Sequence, residues 1–221
     1  MTVIAVTGLR VEAEIARKAG LAVVCAGGIP AHTAATLGQA IASSAPAGLI
    51  SFGIAGGLAP GLTPGTLVVP RAVLGADGGR YPVAAPWRAR LREYLDTADG
   101  DIFGADAIVT ASAAKAALHA RNGAIAVDLE SAIVAQAASR AGLPFIVLRA
   151  IADPAERSLP PAASVRLKPD GRPDLRAIFH SLLMEPGQIG ALIGLAGDTR
   201  RALRALARVI AASGLLLAAP P

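Results

Sequence analysis

Short, nearly continuous apolar runs alternate with amphipathic segments along this chain, and that alternation limits its fold more than any other feature. Residues 2–7, 21–26, 48–52, 66–74 and 144–151 are rich in Val, Ile, Leu and Ala and have the length of strands. Between them, residues 9–19, 31–43, 87–95, 111–119 and 129–141 read as helices. Strands that lack polar alternation are buried on both sides. The pattern therefore predicts an α/β fold of three layers, a mostly parallel central sheet with helices on both faces. Residues 108–110 read as short and extended. The Pro-, Arg- and Asp-rich stretch from Asp153 to about Asp174 reads as a loop. Helical segments at 174–183, 188–195 and 198–217 follow and pack on the same single domain, 1–221.

Composition narrows the function classes. With 53% hydrophobic and 17% charged residues, the chain can bury a core and is not disordered. Aromatic residues are only 3%, so that core must be aliphatic. The first residues lack a basic segment and read as a strand rather than a signal. No apolar stretch reaches membrane-span length without Gly, Pro or charge breaking it. A single cysteine, Cys25, excludes an internal disulfide and fits a reducing compartment, with cytoplasm the expectation. The three histidines, His32, His119 and His180, form no metal-ligand spacing, so neither a metal nor a redox cofactor is expected. The net charge of +5 includes Arg200, Arg204 and Arg208, one stripe on a helix, which reads as a solvated face or a contact with an anionic surface. There is no basic run with interleaved aromatics, which argues against nucleic acid.

Two acids draw attention. Asp153 closes the apolar run at 144–151, and Glu130 opens the helix at 129–141. A carboxylate at the end of a buried strand is costly unless something uses it, and α/β sheets bind ligands where strand ends open into a crevice. Taken alone, Asp153 reads as a helix or loop cap and Glu130 as a first-turn acid that suits the helix dipole. Two glycine turns follow strands: Gly27-Gly28-Ile29-Pro30 and Gly53-Ile54-Ala55-Gly56-Gly57-Leu58. Neither matches a dinucleotide or P-loop fingerprint, but each can bring backbone N–H groups close to a ligand.

These segments, in this order, resemble the superfamily of purine nucleoside phosphorylases and methylthioadenosine/adenosylhomocysteine nucleosidases. The resemblance rests on residues 53–58 followed by 64–70, on Gly104-Ala105-Asp106-Ala107, and on Val127-Asp128-Leu129-Glu130-Ser131 running to Asp153. It covers about residues 1–155 and is nearest to the hopanoid-associated branch, whose proposed substrate is adenosylhopane. It implies cleavage of an N-ribosidic bond with release of adenine. Asp153 would meet purine N7 and Glu130 the ribose hydroxyls; Gly53, Ile54, Ala55, Gly56, Asp106, Ile108, Val109 and Leu129 would line the substrate. Asp106 reads equally as a base contact or a turn cap. Arg10, Glu12 and Gly28 are the candidates for phosphate or for activating a nucleophile. Phosphate is the expected co-substrate if the reaction is phosphorolysis, toward which the branch leans. A homo-oligomer is expected, and a lipid-linked nucleoside would bring peripheral membrane contact.

The chain departs from the family pattern at several points. Ile54 stands where a Ser is usual, Ser51 where some members carry a phosphate-binding Arg, Ala152 where a Ser adjoins the acid, and Ile108 where an aromatic stacks on the base. An ungapped match puts Ala13 at the position of the nucleosidase general base, so Glu12 and Glu14 read as solvated helix acids. The competing class is a non-catalytic nucleoside- or lipid-binding protein on the same fold.

Overall fold

The computed structural model describes residues 2–165, 167–218 and 220. Three strands form the centre of the sheet: β1 (Val3–Thr7), β3 (Gly48–Gly57) and β10 (Phe145–Asp153). Every residue of β1 and β10 is buried, as expected of strands covered on both faces. β3 runs parallel to both, and β2 (Ala22–Cys25) extends the sheet beyond β1. On the other side of β10 lie β4 (Leu67–Val68) and β7 (Thr97–Ala98). Past its midpoint β3 leaves β1 and pairs through Gly56 and Gly57 with β9 (Ala126–Asp128), followed by β8 (Ile102–Gly104), β5 (Ala72–Gly75) and β6 (Arg80–Pro82). Among the described residues six of the nine strand pairings are parallel, which agrees with the expected sheet.

The helices are α1 (Arg10–Arg17), α2 (Pro30–Ser44), α3 (Ala85–Tyr94), α4 (Ser112–Asn122), α5 (Ser131–Ala141), α6 (Leu175–Met184) and α7 (Ile189–Leu217). α7 packs on β10 and β3 and touches α1 and α3, while α5 packs on α2 and covers β3, β8 and β5. No helix among the described residues is long and apolar enough to cross a membrane.

Three expectations are corrected. The predicted strand at 66–74 is two strands in different neighbourhoods, β4 against β10 and β5 against β8, because Pro70 between them cannot donate to a ladder. The two helical segments at 188–195 and 198–217 are one helix. Packing on the sheet outweighs the helix-weakening glycines at 190, 194 and 197. Residues 108–110 form no strand.

The core is aliphatic apart from Phe52, Phe145 and Trp87. Trp87 of α3 is fully buried, and its indole N–H donates to the Leu216 carbonyl at 2.9 Å, fastening the end of α7 to α3. Trp87→Ala removes that anchor and leaves a large cavity. It is expected to cost about 3–5 kcal/mol of stability, read from denaturant midpoints.

Candidate active site

β10 carries the two residues that organise the site, and one irregularity separates them. Arg149 pairs in register with Gly53, and Ile151 with Ala55; Asp153 then pairs with Gly56, the very next residue of β3. Ala152 is therefore an inserted residue, a β-bulge. In an unbroken strand Arg149, Ile151 and Asp153 would share a face. The insertion moves Asp153 to the side of Gly56, where a Cβ on Gly56 would sit 3.2 Å from Asp153 Oδ2.

On the other side, Arg149 is fully buried and gathers three carboxylates. Its guanidinium lies 2.6 Å from Asp128 at the end of β9 and 3.0 Å from Glu130, the residue that precedes α5. It also donates to Ser51 Oγ at 2.6 Å, and Ser51 in turn accepts from Ser131. Glu12 completes the set from α1. One of its oxygens accepts from the backbone N–H groups of Gly8 (3.1 Å) and Leu9 (2.8 Å), which closes the N-terminus of α1. The other accepts from Ile54 N–H at 2.8 Å.

Two glycines make room for this cluster. A Cβ on Gly8 would lie 2.5 Å from Glu130 Oε1. At Gly53, where φ is +151°, a Cβ would strike Glu12 and the Arg149 guanidinium at 2.5 and 2.6 Å.

Burial sets the electrostatics. Desolvation raises Glu130 from its ordinary 4.5 to about 7; Arg149 opposes the rise, while Asp128 and Glu12 reinforce it. Desolvation also raises Glu12, against Arg149 and the N–H groups of Leu9, Ile54 and Gly8. Asp153 is raised for the same reason, with Lys115 and Arg157 opposing and Asp198 assisting.

All of these groups except Lys115, Arg157 and Asp198 open on one cavity of about 590 Å³, which Glu12, Asp128, Glu130, Arg149 and Asp153 line at its charged end. Ile54, Ala55, Gly56, Asp106, Ile108, Val109, Leu129 and Gly28 of the sequence candidates also line it. Leu159, Val165, Leu167 and Leu195 add an apolar side. Gly53 lies beneath, against Glu12 and Arg149. Arg10 is elsewhere: it pairs with Glu14 at 3.2 Å on the surface and borders a separate groove with Arg17 and Cys25.

The structure corrects the reading of Glu12 as a solvated acid. It is buried, and Ala13 packs beneath the helix instead. Sequence reasoning also missed Arg149, Asp128 and Lys115 as parts of the site. Arg149 was visible as the only charge inside an apolar strand, which is itself a signal. Lys115, on α4, reads in sequence like any surface lysine, yet it is fully buried and paired with Asp153.

The phosphorylase superfamily matches residues 7–170. Among solved structures the chain is similar to a methylthioadenosine/adenosylhomocysteine nucleosidase from Neisseria meningitidis in complex with methylthio-immucillin-A. That likeness has 19% identity and a TM-score of 0.65, and covers 96% of this chain and 99% of the other. A Helicobacter pylori nucleosidase with 5′-methylthioadenosine in its active site gives 16% identity and a TM-score of 0.66, over 96% and 98% of the two chains. A futalosine hydrolase from the same organism gives 19% and 0.59 over 68% and 89%. No curated protein matches by sequence.

A raised carboxyl stabilises the fold while protonated and ceases to do so as it ionises. The Glu130 contribution is thus full below about pH 4.5 and lost as pH rises through about 7. The unfolding free energy of Glu130→Gln, followed by denaturant titration across this window, is expected to fall less steeply with pH than that of the native chain.

Proposed function

Since the chain belongs to the phosphorylase superfamily, we propose that it cleaves the N-ribosidic bond of a purine nucleoside, with water as the nucleophile and adenine as the leaving base. The observation that carries this reading is the convergence of Glu12, Glu130 and Asp153 on one cavity with the Arg149 guanidinium among them. Breaking the C1′–N9 bond sends its electron pair into the purine and leaves positive charge on the ribose. Asp153, raised by burial, gives N7 a proton and makes the base a better leaving group. Glu130 binds the ribose hydroxyls, and the carboxylates around Arg149 favour the cationic sugar. Water adds at C1′ and passes its proton to Glu12. The products are the free purine and the sugar with its 5′ substituent and a hydroxyl at C1′, and the scheme uses no cofactor.

The choice of water over phosphate rests on Glu12. The N–H groups of Gly8, Leu9 and Ile54 form a concavity suited to an anion, and the Glu12 carboxylate fills it. A phosphate there would meet a buried carboxylate. The lean toward phosphorolysis drawn from the sequence is replaced by hydrolysis on this ground. With phosphate present in excess, a 5′-substituted adenosine is expected to yield the 5-substituted ribose and none of its 1-phosphate, detected by mass spectrometry. Asp153→Asn is expected to lower kcat by about 10²–10⁴-fold while ligand binding persists. A non-catalytic binding protein would show no turnover before or after that substitution. Glu12 must be ionised to accept a proton, so the acidic limb of kcat/KM lies above the ordinary carboxylate range.

The apolar side of the cavity supports a hydrophobic 5′ substituent, and adenosylhopane is one such substrate. Exposed apolar side chains on neighbouring elements, Leu175, Phe179 and Leu183 on α6 and Ile189 and Ile193 on α7, support approach from a lipid surface. The exposed Arg200, Arg204 and Arg208 add charge for anionic headgroups. A 5′-alkyl adenosine is expected to show a higher kcat/KM than adenosine; equal values would remove the lipid reading.

A further inference from the structure

Lys115 has no place in the scheme above, yet it is fully buried, where lysine is almost never found unless paired. It projects from α4, and all three of its ammonium hydrogens are committed. One goes to Asp153 Oδ2, one to the Pro154 carbonyl at 3.0 Å and one to the Arg157 carbonyl at 2.9 Å. With its donors saturated, the ammonium is held in one place. Among the described residues Asp153 Oδ1 has no hydrogen-bond partner, and Asp153 lines the cavity. Ala152, the neighbour inserted by the bulge, has no side-chain donor with which to orient the acid.

We propose that Lys115 is the positioning residue of the purine-side acid: it ties Oδ2, leaves Oδ1 alone to meet the base, and receives the negative charge that Asp153 acquires. This assignment rests on the hydrolase reading and deepens it. As C1′–N9 breaks, the proton on Asp153 moves to N7, and the carboxylate left behind is already beside an ammonium. The other charged groups that face Asp153 are Arg157, from the loop after β10, and Asp198, from α7. Asp198 is shared between Arg157 and the exposed Arg201 of the same helix, so Lys115 is the cation in direct contact with the acid.

Two substrates separate this role from a structural one: 5′-methylthioadenosine, whose base needs a proton to leave, and 4-nitrophenyl riboside, whose phenolate needs none. Lys115→Met is expected to lower kcat on the purine nucleoside by about 10²-fold with little change in KM, and to leave the aryl riboside within about threefold. Without the cation Asp153 holds its proton more tightly, so the basic limb of the purine profile is expected to move up by about one pH unit or more. Lys115→Arg, which keeps the charge, is expected to keep that limb in place. The double variant Lys115→Met/Asp153→Asn buries no lone charge and guards against failure of the single variant to fold. Its rate is expected to equal that of Asp153→Asn alone. Equal losses on both substrates, an unmoved basic limb, or additive losses in the double variant would overturn the assignment and leave the hydrolase reading standing. A native chain that cleaves neither substrate overturns the hydrolase reading, and the assignment with it.

Discussion

One buried guanidinium holds this site together. Arg149 stands in the central strand of the sheet with Asp128 and Glu130 in ion-pair contact and Glu12 within its field. Removing charges from water costs several kcal/mol per ion, and one cation cannot compensate three full carboxylates. The cluster meets that cost partly through hydrogen bonds, those of Glu12 to three backbone N–H groups and of Ser51 to the guanidinium, and partly by raising the pKa values of Glu12 and Glu130. The elements that meet at Arg149, namely β3, β9, α1 and the start of α5, are positioned by the same contacts that prepare the chemistry. Fold and site are hard to vary separately here.

The parts of the site legible in sequence were those tied to short strings of residues. Glu130 and Asp153 stand in such strings, and the structure brings both to one cavity. Glu12 was harder, because neighbouring helix positions differ by about 100° in direction and an ungapped match landed on Ala13. The Arg149 partners come from β9, α1 and the residue before α5, contacts that no local pattern encodes. Lys115 was invisible for the same reason. On a helix with alanines around it, a lysine reads as solvated until the loop after β10 is seen to close over it.

At the level of the fold, the long strands and amphipathic helices were legible because burial on both faces leaves continuous apolar runs. What escaped was short or decided by packing. β6, β7, β8 and β9 have only two or three residues each, too few for a period to emerge. α7 runs through glycines that would end a solvated helix, because β10 and β3 supply the apolar contact that local propensity lacks.

The extra residue at Ala152 has a wider meaning for how the cavity grips what enters it. A straight strand would have set its cation and its terminal acid side by side, to grasp a guest from a single flank. By spending one position without a pairing partner, the backbone turns the acid to the opposite flank, so that a bound molecule is spanned between two chemically distinct walls. The aim of that acid is thus written into the path of the main chain, and the side chain at 152 is left free to be as small as alanine.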